Sequence, residues 1–309
     1  MTDFQKLFEA GNVDQLARNI GPARLDITYQ RFGDPASPPV LLIMGAAAQL
    51  IHWPNEFCRM LLERGLQVIR FDNRDCGCSS TITGAPEPNL QAVLAGDLSC
   101  VAYTLSDMAT DAVGLLDALG IASAHVVGVS MGGQIAQVMA FEHPTRVRSL
   151  VSMMSSTGSM SIGQPAPEIL AVIFGNKPPV TRDEVVAHRV KMMQAVGSPD
   201  YPTPPEEIAA RAALAFDRSN DMAGMTRQAI ATVASGDRVE QLRRLRVPTL
   251  VIHGLADRMC NVNGSRAVAE AIPGAELVLI EGMGHDLAPG LRPRLTALIA
   301  DFVYKVEGH

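Results

Sequence analysis

Val40-Leu41-Leu42-Ile43-Met44 is an unbroken apolar run of the kind found in a strand covered on both faces. Further strand-like segments recur along the chain: Leu25 to Phe32, Gln67 to Phe71, His125 to Val129, Val147 to Met153, Thr249 to His253 and Glu276 to Ile280. Helical segments separate most of them, near Trp53 to Arg64, Ser106 to Leu119, Gln134 to Phe141 and Ser265 to Ala271, and another closes the chain from about Pro293 to Tyr304. Strands joined through helices run parallel, so the order predicts an α/β fold, a mostly parallel sheet with helices on both faces. Before it, Phe4, Leu7 and Phe8 suggest a short amphipathic helix, with Val13, Leu16 and Ile20 as further apolar positions beyond Gly11-Asn12.

The alternation stops between residues 156 and 246. Helix-prone stretches there are broken by Pro178-Pro179, by Pro199-Asp200-Tyr201-Pro202 and by Pro204-Pro205, and none reads as a strand. The expected division is a core of residues 1–155 and 247–309 with residues 156–246 inserted as a helical cap. A chain of 309 residues with 47% hydrophobic content can bury such a core.

Charge and cysteine content narrow the partners. A formal net charge of −6 provides no basic field for nucleic acid or anionic lipid, and no run reaches the roughly 20 apolar residues of a membrane span. A small-molecule substrate fits better. The segment from Met1 to Phe8 lacks the apolar stretch of a secretory signal, and the five cysteines are odd in number and scattered, so a cytoplasmic location is expected. Cys76-Gly77-Cys78 has no second Cys or His pair at ligand spacing, so no metal is expected. With no phosphate-cradling or dinucleotide glycine motif in place, no cofactor is expected either. Nothing indicates an oligomeric state.

The chemistry centres on Gly128-Val129-Ser130-Met131-Gly132. Ser130 stands where a strand gives way to a helix, and a tight turn at such a junction pushes the hydroxyl into the open while flanking glycines admit neighbouring backbone. A serine hydroxyl needs a histidine base, and the histidine needs a carboxylate to fix its tautomer. In a sheet with this turn the acid and histidine follow the serine in that order. Asp257 lies just after the Thr249 to His253 strand and His285 just after the Glu276 to Ile280 strand, both at carboxyl ends of strands. His125, His143, His188, His253 and His309 lack that order or placement. Two backbone donors for the developing oxyanion are expected from Met131 and from Ala46, in the small-residue loop Gly45-Ala46-Ala47-Ala48. Gly45, His52 and Met154 are candidates for lining the substrate pocket.

Leu41-Leu42-Ile43-Met44-Gly45, Trp53-Pro54-Asn55-Glu56-Phe57, Val68 through Asp75, His125 through Gly132 and Gly282-Met283-Gly284-His285 resemble the aclacinomycin methylesterase family of the α/β-hydrolase superfamily. The resemblance spans nearly the whole chain outside the cap. It implies the α/β-hydrolase sheet and hydrolysis of a methyl ester on a polyketide-derived substrate, with a Ser-His-Asp triad on Ser130, His285 and Asp257 and oxyanion donors at Ala46 and Met131. The chain departs from the family in carrying Ala46 where relatives have a second glycine, and in Cys76 and Cys78. The same triad also serves C–C bond hydrolysis, lyase and perhydrolase chemistry, and a ligand receptor could keep the fold without turnover. An ester hydrolase acting through an acyl-enzyme is the function expected.

Overall fold

The computed structural model describes residues 3–174 and 179–308. Met1, Thr2, Pro178 of the Pro178-Pro179 break and His309 lie outside the described residues, as do the side chains of Phe4 and Leu7. Eight strands, β1 (Gln15–Ile20), β2 (Leu25–Phe32), β3 (Pro39–Ile43), β4 (Gln67–Phe71), β5 (Ala124–Val129), β6 (Val147–Met153), β7 (Thr249–Gly254) and β8 (Glu276–Ile280), form one sheet in the order β1-β2-β4-β3-β5-β6-β7-β8. From β4 onward every neighbouring pair is parallel, whereas β2 is antiparallel to both β1 and β4.

The helices in chain order are α1 (Asp3–Gly11), α2 (Asn55–Glu63), α3 (Leu90–Leu94), α4 (Leu105–Ala118), α5 (Met131–Glu142), α6 (Pro167–Phe174), α7 (Arg182–Val196), α8 (Pro205–Arg218), α9 (Met222–Ala234), α10 (Val239–Leu242), α11 (Asn263–Ala271) and α12 (Arg292–Glu307). Successive strand residues feed opposite cores because side chains alternate across a sheet. Leu41 and Ile43 pack with Leu105, Leu115, Ile135 and Met139 of α4 and α5, while Val40 and Leu42 pack with Phe57 and Leu61 of α2 and Leu295 and Ile299 of α12. The apolar run of β3 is thereby consumed on both faces, as its composition requires.

Two features differ from expectation. Leu16 and Ile20 do not extend a helix: they belong to β1, a hairpin partner of β2 with a register shift between Ala17 and Ile20. Gly11 ends α1 against β2, where a Cβ would run into the Arg31 carbonyl, so only glycine fits there. The loop after β4 also holds the short helix α3, capped by Asn89, whose side chain accepts from the Ala92 N–H at 3.0 Å.

The segment between β6 and β7 carries α6 to α10 and no strand among the described residues. Charged side chains tie it to the sheet. Arg218 of α8 donates to Asp72 at 2.6 Å and Gln49 at 2.9 Å and pairs with Asp14. Arg227 of α9 grips both oxygens of Asp75 at 2.7 and 2.9 Å. Arg292 of α12 joins Glu56 at 2.7 Å to Glu207 at 2.5 Å. The Asp75 side chain is wholly buried, and Arg227 is its ion-pair partner. Replacing Arg227 by Met leaves that carboxylate unpaired, and urea denaturation should show a loss of about 3–5 kcal/mol; an unchanged midpoint would mean that the Ile82 N–H, 2.7 Å from Asp75, suffices alone.

Candidate active site

Ser130 joins β5 directly to α5 with φ 56° and ψ −123°, a conformation that a residue with a Cβ holds only under constraint. The constraint is visible on both sides. The Ser130 N–H donates to the Met153 carbonyl at 2.9 Å, and the Ser130 carbonyl accepts from Gly133 N–H at 2.9 Å and from Ser155 Oγ at 2.8 Å. A Cβ on Gly128 would collide with the Gly132 backbone, and one on Gly132 with the Ile43 carbonyl, so the turn exists only because both lack side chains. Gly45 lies against the serine: a Cβ there would sit 3.1 Å from Ser130 Cβ and 3.6 Å from its Oγ. Neither the Met131 N–H nor the Ala46 N–H has an acceptor among the described residues, and Ala46 is exposed.

Asp257 and His285 are brought together by the loops after β7 and β8. His285 Nδ1 lies 2.7 Å from Asp257 Oδ2, and the other carboxylate oxygen accepts from the N–H groups of Met259 at 2.9 Å and Cys260 at 2.8 Å. A carboxylate only accepts, so Nδ1 carries the proton and Nε2 is left as the basic atom. Burial opposes charge on Asp257, but the neighbouring His285 and hydrogen bonds from His253 and His285 outweigh it and hold the carboxyl well below its usual range. For His285 burial works against the imidazolium, and the Asp257 carboxylate more than compensates, raising it above its ordinary 6.5. Ser130 Oγ makes no hydrogen bond to His285 among the described residues, and such contacts often tighten only around substrate.

His52, next to the Gly45 loop, is a different histidine. Its Nδ1 accepts from the Gln49 N–H at 3.0 Å. Burial, then Arg189 and Arg211, push it down to about 3, so it stays neutral. Met154, with φ 49°, is fully buried in the core on the β3 and α12 side. His125 is consumed by Ser149 and Glu307, and His253 by Ser265 and the Cys260 carbonyl, although His253 Nε2 also approaches Asp257 to 3.4 Å.

Other contacts carry no motif. The His285 N–H donates to the Val196 carbonyl at 2.7 Å, and Ser198 Oγ, which donates to Asp286 at 2.5 Å, accepts from the Gly284 N–H at 2.9 Å. The end of α7 and the loop after it therefore brace the loop of the histidine. Burial raises the Asp286 carboxyl despite the hydrogen bonds it receives from Ser198 and Thr203. Ser198 and Asp286 lie 88 positions apart, and no spacing rule links them.

A family model described as alpha/beta hydrolase fold matches residues 38–288. The rhodomycin D methylesterase DnrP of Streptomyces peucetius is 30% identical over 285 residues, covering 86% of this chain and 91% of that protein. A 2-hydroxymuconate semialdehyde hydrolase of Pseudomonas putida is 28% identical over 212 residues, covering 66% of this chain and 71% of its own. Among solved structures, a meta-cleavage product hydrolase from Pseudomonas fluorescens superposes with a TM-score of 0.74 at 20% identity, covering 94% of this chain and 98% of that one. No helix among the described residues is long and apolar enough to cross a membrane.

The two histidines give opposite titrations. Proton NMR of the imidazoles should place His285 above 6.5 and show it falling in Asp257→Asn, while His52 stays unprotonated until the pH approaches about 3. A His285 signal unmoved by Asp257→Asn would break the electrostatic link drawn between them.

Proposed function

The chain belongs to the α/β-hydrolase fold family, and from that premise we propose that it is a serine hydrolase of carboxylic esters working through Ser130, His285 and Asp257. Ser130 Oγ attacks the ester carbonyl carbon as His285 Nε2 takes its proton. The carbonyl oxygen becomes an oxyanion, for which the free N–H groups of Ala46 and Met131 are the donors. The intermediate collapses with loss of the alkoxide, which receives the proton from His285. Water, deprotonated by His285 in turn, then attacks the acyl-enzyme and frees the carboxylic acid and Ser130. Asp257 keeps the proton on Nδ1 and stabilises the imidazolium at each stage, without itself taking the proton.

The observation that carries this reading is a pair of independent constraints: a serine forced to positive φ, and a histidine whose Nδ1 is held by a buried carboxylate. The similarity to a rhodomycin D methylesterase over most of both chains supports a methyl ester as substrate, and the resemblance read in the sequence extends this to a polyketide-like or other apolar compound. Residues 156–246, with α6 to α10, are the proposed cap over the acyl site, and Gly45, His52 and Met154 its expected neighbours. All five cysteines are free, which supports a reducing, cytoplasmic setting. C–C bond hydrolysis is the second reading, favoured by the similarity to the semialdehyde hydrolase.

A fluorophosphonate probe should label the wild type and leave Ser130→Ala unlabelled, and that substitution should lower kcat on any ester turned over by about 10⁶-fold. Equal labelling of the two would remove Ser130 from the chemistry. A panel of methyl and p-nitrophenyl esters then separates the readings, since labelling without ester turnover points to the C–C reaction. Because the base must be neutral, kcat/KM should fall as pH drops through the raised His285 value, above 6.5. Asp257→Asn should move that limb to lower pH and cut kcat by roughly 10⁴-fold.

A further inference from the structure

Gly284, His285 and Asp286 each bond to residues at or after the end of α7. The Gly284 N–H donates to Ser198 Oγ at 2.9 Å, and the His285 N–H to the Val196 carbonyl at 2.7 Å. Asp286 Oδ1 accepts from the Ser198 N–H at 3.1 Å and from the Ser198 hydroxyl at 2.5 Å, while Oδ2 accepts from Thr203 Oγ1 at 3.0 Å. The two segments also touch backbone to backbone, since a Cβ on Gly284 would sit 2.3 Å from the Gly197 carbonyl oxygen.

The two bonds of the Ser198 hydroxyl close a ring. From Oγ it passes to the Gly284 nitrogen, along the main chain through His285 to Asp286, out along that side chain and back from Oδ1 to Oγ. The main-chain N, Cα and C of His285 all lie on this ring. A hydroxyl has one proton to give and lone pairs to accept with, so the bonds to Asp286 and from Gly284 coexist. Ser198 is only 3% exposed, so bulk water does not stand in for it. Thr203 holds the second oxygen of Asp286, and the carboxylate therefore cannot swing out of the ring. Asp257 is fixed separately, by the N–H groups of Met259 and Cys260. The 2.7 Å bond between Asp257 and His285 thus depends on where the main chain puts the imidazole.

We propose that Asp286 is a positioning residue: closing this ring with Ser198, it fixes the main chain of His285 and holds the imidazole against Asp257. The inference rests on the proposed role of His285 as base. It gives the carboxylate beside the histidine a task of its own, distinct from that of Asp257. The Asp286 charge also acts on the ring nitrogens, since against burial it is Asp257 first and then Asp286 that raise His285. Ser198→Ala separates the two effects, because it opens the ring and leaves the Asp286 carboxylate in place.

The test needs no substrate: it reads the second-order rate of fluorophosphonate labelling across pH, and the His285 titration by proton NMR. On the high-pH plateau, where His285 is neutral, Ser198→Ala should label about 10-fold more slowly than wild type and Asp286→Ala up to about 10²-fold, as expected for a displaced base. Asp286→Asn should recover part of the loss, because its amide oxygen can still accept from Ser198 and its amino group can donate to Thr203 Oγ1. The His285 titration should fall toward 6.5 in Ser198→Ala as its bond to Asp257 loosens. If Asp286→Ala does not fold, Ser198→Ala and Asp286→Asn carry the measurement. A wild-type plateau rate in every folded variant, or a His285 titration unmoved in Ser198→Ala, overturns the positioning role. Equal labelling of wild type and Ser130→Ala would instead remove the underlying reading, a result the NMR titration does not depend on.

Discussion

The first turn of α5 lies so close to β3 and β5 that backbone meets backbone with no side chain between them. Gly128 faces the Gly132 carbonyl and Gly132 faces the Ile43 carbonyl at separations where a single Cβ would intrude. That contact sets everything above it. It seats the α5 N-terminus directly over the strand ends, throws Ser130 to positive φ, and brings the Gly45 loop against its side chain. Such a backbone conformation costs on the order of 1–3 kcal/mol and persists only when its surroundings over-determine it. Here the surroundings include the buried face of α5 and the Met153 carbonyl that receives the Ser130 N–H.

Around that turn the protein uses burial in two opposite ways. At His285 a buried carboxylate, itself held by two backbone N–H groups, makes the imidazolium easier to form than in water. At His52 burial is joined by guanidinium groups, and the ring is kept neutral at any working pH. The same residue type is thus a proton acceptor in one place and a fixed neutral dipole in the other. The difference lies in the sign of the neighbouring charge, since desolvation acts against the cation at both.

Much of this was legible in the sequence because it is carried by local chemistry. The apolar run at β3 needs two covered faces, and the glycines around Ser130 need a close approach, so both announce themselves within a few residues. The order of Asp257 and His285 after β7 and β8 is likewise a property of the chain. What escaped is set by geometry across long separations. The apolar positions Leu16 and Ile20 fit a helix or a strand alike until β2 is there to pair with β1. Gln228 reads as an ordinary helical glutamine, and its bond to Ala47 spans 181 positions. Ser198 and Asp286 have no pattern linking them either.

The hydrogen bonds from the histidine loop to Val196 and Ser198 also bear on how such a protein can diverge. Inserted segments are commonly treated as exchangeable modules, free to be swapped for a new specificity while the scaffold keeps its chemistry. Here the last residue of α7, Val196, supplies the backbone carbonyl on which the His285 main chain rests, so a transplanted segment of different length at that point would shift the proposed base along with the specificity. Tolerated variation is thereby directed toward α6 and the outward faces of α7 and α8, away from the residues that follow α7.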